Sequence, residues 1–473
     1  MLLARLGALA IGVLAFAATG RLIAASEFGH FAFALAAWQA LLSLSEFGLR
    51  NYIIREKEIG TGCIGSAMGL SLTLSAACAA ALALAALAAR EAGLADPAAA
   101  AAALILAPAL VPAAMGTVAE GVLQRDLDFR LIWRITVARA AVDAAMAVGL
   151  ALMGFGAAAL AWGVLASHLL ATGILVAGSG HAAELRPRRA GWRRFVPFGL
   201  RSSGTSALPS AAGFLLVAVL SALQGAAAVG LYNRALTIHQ IFSRTFVEGL
   251  RPVVLPAITH GLAAGMTPAE VHGRKMDYLA AVSWPVFALI ALLADEIVRV
   301  LLGPGWEGAV PVVRILALMG LTLPVNVMSF KTFVATGQEA AYLRITAWQM
   351  LTALALGLAG ASVSLEAFCA ASVAASWVKA ANILHASHRL FGPARPALAA
   401  IALRGAMAAG AALAGPALLL YARQEQIGPA LSGLGLLVPC AGLALAGWLA
   451  ALVAMRHGVV REMRIAAGLA GPD

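Results

Sequence analysis

AAVGLYNRALTIHQIFSRTFVEGLRPVVLP, residues 227–256, is the stretch on which the reading of the chain turns. As a helix it is long enough to cross a hydrocarbon layer about 30 Å thick. Yet it carries Arg234, Arg244, Glu248 and Arg251. A charge inside a span costs at least about 2.5–3.5 kcal/mol, so such residues usually serve a purpose. At about 100° per residue, Arg234, Thr237, Arg244, Glu248 and Arg251 fall within an arc of roughly 100°. They form one polar stripe on an otherwise apolar helix. The stretch also has an echo. Shifted back by 201 residues without a gap, it meets Ser26 to Arg55. Gly29 matches Gly230, Ala34 matches Ala235, Leu35 matches Leu236 and Gln39 matches Gln240, and Gly48-Leu49-Arg50 matches Gly249-Leu250-Arg251. The chain is written twice, and the second copy carries more charge.

Composition says what kind of chain this is. Of 473 residues, 62% are hydrophobic and 12% charged, and the mean hydropathy is +0.90. A soluble domain carries about 25% charged residues, so an all-α polytopic membrane protein is expected. Met1 to Leu22 is apolar, but another span follows at once, so it reads as a first span and not as a cleaved signal. Fourteen apolar segments are expected, at 3–24, 28–50, 64–89, 99–122, 131–153, 157–178, 197–222, 229–257, 279–302, 310–336, 341–360, 364–385, 397–421 and 430–455. The net charge is +11. The cations sit in short loops between spans, which argues against nucleic acid as a partner. Cys63, Cys78, Cys369 and Cys440 are scattered without metal-ligand spacing and read as small packing residues.

Lys and Arg in the short loops give the orientation. One side collects 20 of them, among them Arg50, Arg55, Lys57, Arg186, Arg188, Arg189, Arg274, Lys275 and Arg456; the other side has Arg21, Arg90 and Arg423. Both termini are therefore expected in the cytoplasm. The largest basic loop, 181–196, separates two six-span lobes, 1–180 and 197–390; a helix pair, 397–456, and a tail, 457–473, follow. An even number of spans lies between the two copies, so they cross in the same direction, a parallel repeat about an axis along the membrane normal. Arg134-Ile135-Thr136 and Arg344-Ile345-Thr346 are a second echo. Two pseudo-symmetric lobes make a transporter layout. No Walker A pattern is present, so a driven cycle draws on a gradient, the membrane potential or the substrate, and no cofactor is called for.

The charged residues within spans are the candidate functional groups. A guanidinium offers a rigid donor fork that matches phosphate oxygens. Arg50, Arg234, Arg244, Arg251, Arg314 and Lys331 are the candidate lining of a cationic cavity for a pyrophosphate and its glycan. Glu248, four residues from Arg244 and three from Arg251, can neutralise part of that stripe. Arg139 and Asp143, four apart in the fifth span, are either a structural pair or, with Glu248, a candidate for ion coupling. Glu46 and Glu120 are lesser candidates. Asp295, Glu296 and Arg299 read as a solvated rim. Asp126-Leu127-Asp128 has the D-x-D spacing of a metal-bound sugar nucleotide site but reads better as helix-start carboxylates. His385 and His388 lack carboxylate or Cys partners for a metal.

Several short pieces together resemble a family. They are Glu27-Phe28-Gly29 with Gly48-Leu49; Leu123 to Arg130; Gly154-Phe155-Gly156 with Ala159-Leu160 and Gly163; Gly230 to Ala235; and Leu302-Gly303 with Trp306, Pro311 and Arg314 to Leu318. In order and spacing the chain is similar to the polysaccharide transporter branch of the multidrug/oligosaccharidyl-lipid/polysaccharide exporter superfamily. That branch includes O-antigen and exopolysaccharide repeat-unit flippases. The resemblance implies two six-helix bundles that open alternately to the two membrane faces. It also implies an undecaprenyl-diphosphate-linked oligosaccharide as cargo, with contacts at Arg50 and Arg251 by analogy with lipid II flippases. A bacterial inner-membrane flippase acting in lipopolysaccharide or exopolysaccharide synthesis is the expectation. Its partners would be lipids and possible polymerase and glycosyltransferases of the same pathway. The alternatives are a multidrug/cation antiporter, a lipid II flippase, and a membrane-embedded polymerase or glycosyltransferase. The cation excess argues against the first. The lack of a first-span Arg-Asp pair argues against the second. The short outer loops argue against the third.

Overall fold

The computed structural model describes residues 2–56, 62–178, 184–263, 265–327, 329, 333, 338–392, 395–425 and 431–460, with side chains at all of these except 2–6, 201, 203–206, 245–263, 268, 339, 391 and 395–397. The described residues are nearly all helical and include no strand. The backbone in a bilayer must satisfy its own hydrogen bonds, and helices do so within one segment. Two compact units divide the chain: Met1–Gly230 with Leu301–Gly305, and Leu231–Val300 with Trp306–Asp473.

In the first unit, α1 (Leu2–Leu22) leads to α2 (Ala25–Ser45). Phe47 (φ 45°) and Gly48 (φ 66°) then break the helix, and α3 (Leu49–Arg55) resumes. This left-handed step is natural for Gly48 and costly for Phe47. Next come α4 (Cys63–Glu91), α5 (Pro97–Leu106) and α6 (Leu110–Arg125). A turn at Ala107–Ala109 joins α5 to α6, where Pro108 has no N–H to give. Asp128 caps α7 (Phe129–Leu152), accepting from Leu131 N at 3.2 Å, so that carboxylate is a helix-start residue. The cap of α8 (Ala157–Gly178) comes from far away: Ala157 N donates to Glu27 Oε2 at 2.9 Å. Gly156 (φ 53°) leaves room for it, since a Cβ there would lie 2.6 Å from the same oxygen. Two of the sequence pieces that carry the family resemblance are thus in contact. α9 (Val196–Ala263) is two helices end to end, broken only at Gly225 (φ 83°, ψ 170°).

The repeat is visible as a crossing. A Cβ on Gly29 would lie 2.6 Å from the Ala226 carbonyl carbon, and one on Gly230 would lie 2.9 Å from that of Ala25. Ala25 and Gly29 stand 201 residues before Ala226 and Gly230. Each copy of the repeat offers a small-xxx-small step, and each places its glycine on the other's alanine. The contact is reciprocal, as a local two-fold axis requires.

In the second unit, α10 (Pro268–Leu292) starts with a Thr267–Glu270 capping box. Then follow α11 (Ala294–Leu301), α12 (Ala309–Ala317), α13 (Leu323–Asn326), α14 (Glu339–Ala361), α15 (Leu365–Phe391), α16 (Arg395–Gln424) and α17 (Leu434–Ala454). α14 packs on α15, and α10 on α16, which packs on α17. The last helix pair is fastened at both ends. Glu296 in α11 accepts from Arg423 Nη1 at 2.6 Å and from Gly433 N at 3.0 Å. At the other end Asp277 meets Arg404 Nε at 3.3 Å and His457 Nε2 at 3.2 Å. Trp448 Nε1 donates to Ala281 O between them.

Eleven helices among the described residues are long and apolar enough to span a membrane. The expected segments 197–222 and 229–257 lie on either side of the Gly225 break in α9, α1 contributes the shorter apolar run Gly7–Leu22, and α14 is not among the eleven. Two sequence expectations change. The ninth span begins at Pro268, not at 279, and so encloses Arg274 and Lys275. Lys275 is buried, its Nζ donating to Val327 O at 3.1 Å, so it is not a loop charge. Glu296 is buried at 3% exposure and paired, so it is no solvated rim.

Candidate functional site

The second half of α9 carries the charged stripe, and the structure splits it. Arg234 stands at one edge of the arc and Arg244 about 80° away, near the other. Arg234 is only 2% exposed, and its guanidinium carbon lies 5.7 Å from the Trp306 ring centroid. That is a packed cation–π position. Tyr232, two residues earlier, stacks edge-on against Phe368 at 5.0 Å. Leu231 fits over Gly308, where a Cβ would be 3.1 Å away. The family-like piece Gly230–Ala235 is therefore packed where the Trp306 region meets it. Nearly three turns on from Arg234, Arg244 is exposed, and its Nη2 reaches Gln240 Oε1 at 3.4 Å. Ser243 and His239 bond at 3.1 Å, and His239 packs on Phe287 at 4.9 Å. The side chains of Glu248 and Arg251 lie outside the described residues, as does Lys331. Arg314 is exposed in the last turn of α12.

Arg50 sits in the first unit, in α3 just after the Gly48 break. Its Nη2 is 2.6 Å from Glu120 Oε2 on α6, with side-chain exposures of 39% and 25%. A Cβ on Gly121 would lie 3.3 Å from Arg50 Cα, so α3 lies close on α6. Both partners were singled out in the sequence; their pairing, across 70 residues, was not. An ion pair this open contributes only about 0–1 kcal/mol.

Arg139 and Asp143 do not pair. Arg139 is exposed, and no ion pair within 4.0 Å joins the two among the described residues. Asp143 instead faces α8, where a Cβ on Gly163 would be 2.9 Å from its Oδ1. Sequence reasoning also passed over His272. It is buried in α10, near His388, in the part of that helix that hydropathy had assigned to a loop.

Comparison with known proteins fits this architecture. Over almost its whole length the chain is similar in structure to a protein described as lipid II flippase MurJ in an inward closed conformation. The TM-score is 0.76 at 10% identity, covering 97% of this chain and 99% of that one. A multidrug resistance MATE family transporter of the MOP superfamily in an inward-facing conformation matches at a TM-score of 0.60 and 17% identity, covering 81% and 94%. At such identities the likeness speaks for the fold. A search of the curated proteins gives no match. A family model described as polysaccharide biosynthesis protein matches residues 18–311. That match takes in both copies of the repeat and the Gly29–Gly230 crossing; the chain belongs to the polysaccharide biosynthesis protein family.

Proposed function

We propose that the protein is a flippase of the bacterial inner membrane that carries undecaprenyl-diphosphate-linked oligosaccharide repeat units from the cytoplasmic to the outer leaflet. The observation that carries this reading is Arg244, an exposed guanidinium on the span Ala207–Arg244. A fully charged fork held in a span is matched to the oxygens of a diphosphate. Membership of a polysaccharide biosynthesis protein family supports this reading, as does a fold similar to that of a protein described as a lipid II flippase. Arg251 on the same stripe is the second proposed contact. Arg50, Arg314 and Lys331 are further ones, with Arg234 supporting the helix from its buried place. Glu248 balances part of the charge when no cargo is bound. Asp143 is the candidate for ion coupling. Transport proceeds by alternating access, with both termini in the cytoplasm.

Deletion of the gene should leave lipid-linked oligosaccharide on the cytoplasmic face. Complementation with Arg244→Ala or Arg251→Ala should reproduce that accumulation while the protein still inserts. Full transport in both single variants and in the double variant would remove the stripe from the mechanism. A cationic drug exported at the cost of a proton or sodium gradient would favour the antiporter reading instead.

A further inference from the structure

A second polar site lies in the second unit and uses none of the residues of the charged stripe. It is a cavity of about 180 Å³ where the start of α10 meets the end of α15 and the start of α16. A single water needs only about 10–15 Å³ on this measure. His272, His385, Ser387 and His388 face it, and Met276 and Leu398 form its apolar wall. His272 is 3% exposed, and neither of its ring nitrogens has a hydrogen-bond partner. Ser387 Oγ and His388 Nδ1 are buried without partners as well. Buried polar groups are almost always bonded, so three such groups turned to one cavity mark a place where a ligand completes them.

The surroundings give the sign of that ligand. Lys275 is buried three residues along α10 from His272, and Arg274 and Arg389 are exposed close by in sequence. The neighbouring carboxylates are occupied. Glu270 is held in its capping box by Thr267 N at 2.8 Å, and Asp277 is held by Arg404 and His457. An imidazole N–H and a serine O–H both donate, and a neighbourhood in which the cations outnumber the free carboxylates favours an anion. The same cavity has a greasy side, because Met276 belongs to an apolar cluster with Ala280 and Ile401. We propose that this cavity binds a phosphate group, either the headgroup of an anionic lipid lying along α10 and α16 or free phosphate. His272, Ser387 and His388 donate to its oxygens, and Met276 and Leu398 take the first carbons of a lipid.

The test uses the full-length protein stripped of lipid and read by native mass spectrometry and thermal unfolding. The probes are phosphatidylglycerol, diacylglycerol of the same chains, inorganic phosphate and chloride. Phosphatidylglycerol should bind with one site and raise the unfolding temperature, and diacylglycerol should not. Binding of inorganic phosphate over chloride would assign the site to free phosphate; stabilisation by the lipid alone would assign it to the headgroup. In either case His272→Gln and Ser387→Ala should weaken binding about tenfold or more, as losing a bond to a charged group does. His388→Gln, at a half-buried side chain, should weaken it too and decides the matter should His272→Gln not fold. Equal stabilisation by diacylglycerol, no binding of either phosphate probe, or unchanged affinity in the folded variants would overturn the assignment.

Discussion

The crossing of the two repeat copies gives the sharpest prediction. In Gly29→Ala the new methyl would start 2.6 Å from the Ala226 carbonyl carbon, and in Gly230→Ala 2.9 Å from that of Ala25. The Ala226 and Ala25 carbonyl oxygens lie nearer still to the two methyls, so the backbones must part by more than about 1 Å in both variants to restore van der Waals contact. A gap of that size forfeits about half of each contact's dispersion energy. Overpacking of this kind costs about 1–3 kcal/mol; about 3 kcal/mol is expected for each variant. Because the contact is reciprocal, one parting clears both methyls. The double variant should therefore cost about 1 kcal/mol less than the sum of the singles. Stability is read by SDS titration of the purified protein. Gly12→Ala is the control, since nothing lies within 4 Å of its Cβ; it removes the general effect of Gly→Ala on helix propensity. A Gly29→Ala protein as stable as the control, or a double variant costing the full sum, would refute the reciprocal crossing.

Other outcomes follow from single contacts. Glu296→Gln strands Arg423 and should cost about 3 kcal/mol, the low end for a broken buried pair because Arg423 is partly open; Glu296→Leu with Arg423→Met should recover most of it in the same titration. Glu27→Ala removes the cap of α8 and should cost about 0.5–2 kcal/mol, with Glu27→Gln intermediate. Glu120→Gln releases Arg50 from its 2.6 Å pair. It should leave stability within about 1 kcal/mol while tightening retention of lipid-linked cargo in a binding assay; unchanged cargo affinity would remove Arg50 from the contacts. Asp143→Asn should fold normally and abolish any gradient dependence of transport, and a variant that keeps it would exclude Asp143 from coupling.

Much of this architecture was legible in the sequence because membrane constraints write themselves locally. Apolar length gave the helices, and the 201-residue echo gave the repeat that the Gly29–Gly230 crossing now displays. What stayed hidden depended on partners far along the chain. Periodicity placed Arg234 and Arg244 on one stripe. It could not show that one edge of the stripe meets Trp306, 72 residues on. Hydropathy started the ninth span too late because Arg274 and Lys275 lower the local average. The carbonyl of Val327 that receives Lys275 leaves no mark in that average. The family-like pieces around Glu27 and Gly156 looked like separate weak signals until α8 was seen to take its cap from Glu27. Glu296 read as a surface charge for the same reason: its partners Arg423 and Gly433 come more than a hundred residues later.

That delay bears on how the protein is made. A ribosome releases Glu296 well before Arg423 and Gly433 exist, so until then its counter-charge is Arg299, one turn along α11, whose Nη2 lies 3.7 Å from Oε1. Insertion of the last helix pair supplies the second cation, at 2.6 Å, and the amide. A chain that stops short of the final two helices should therefore hold Glu296 by the longer pair alone and unfold more readily.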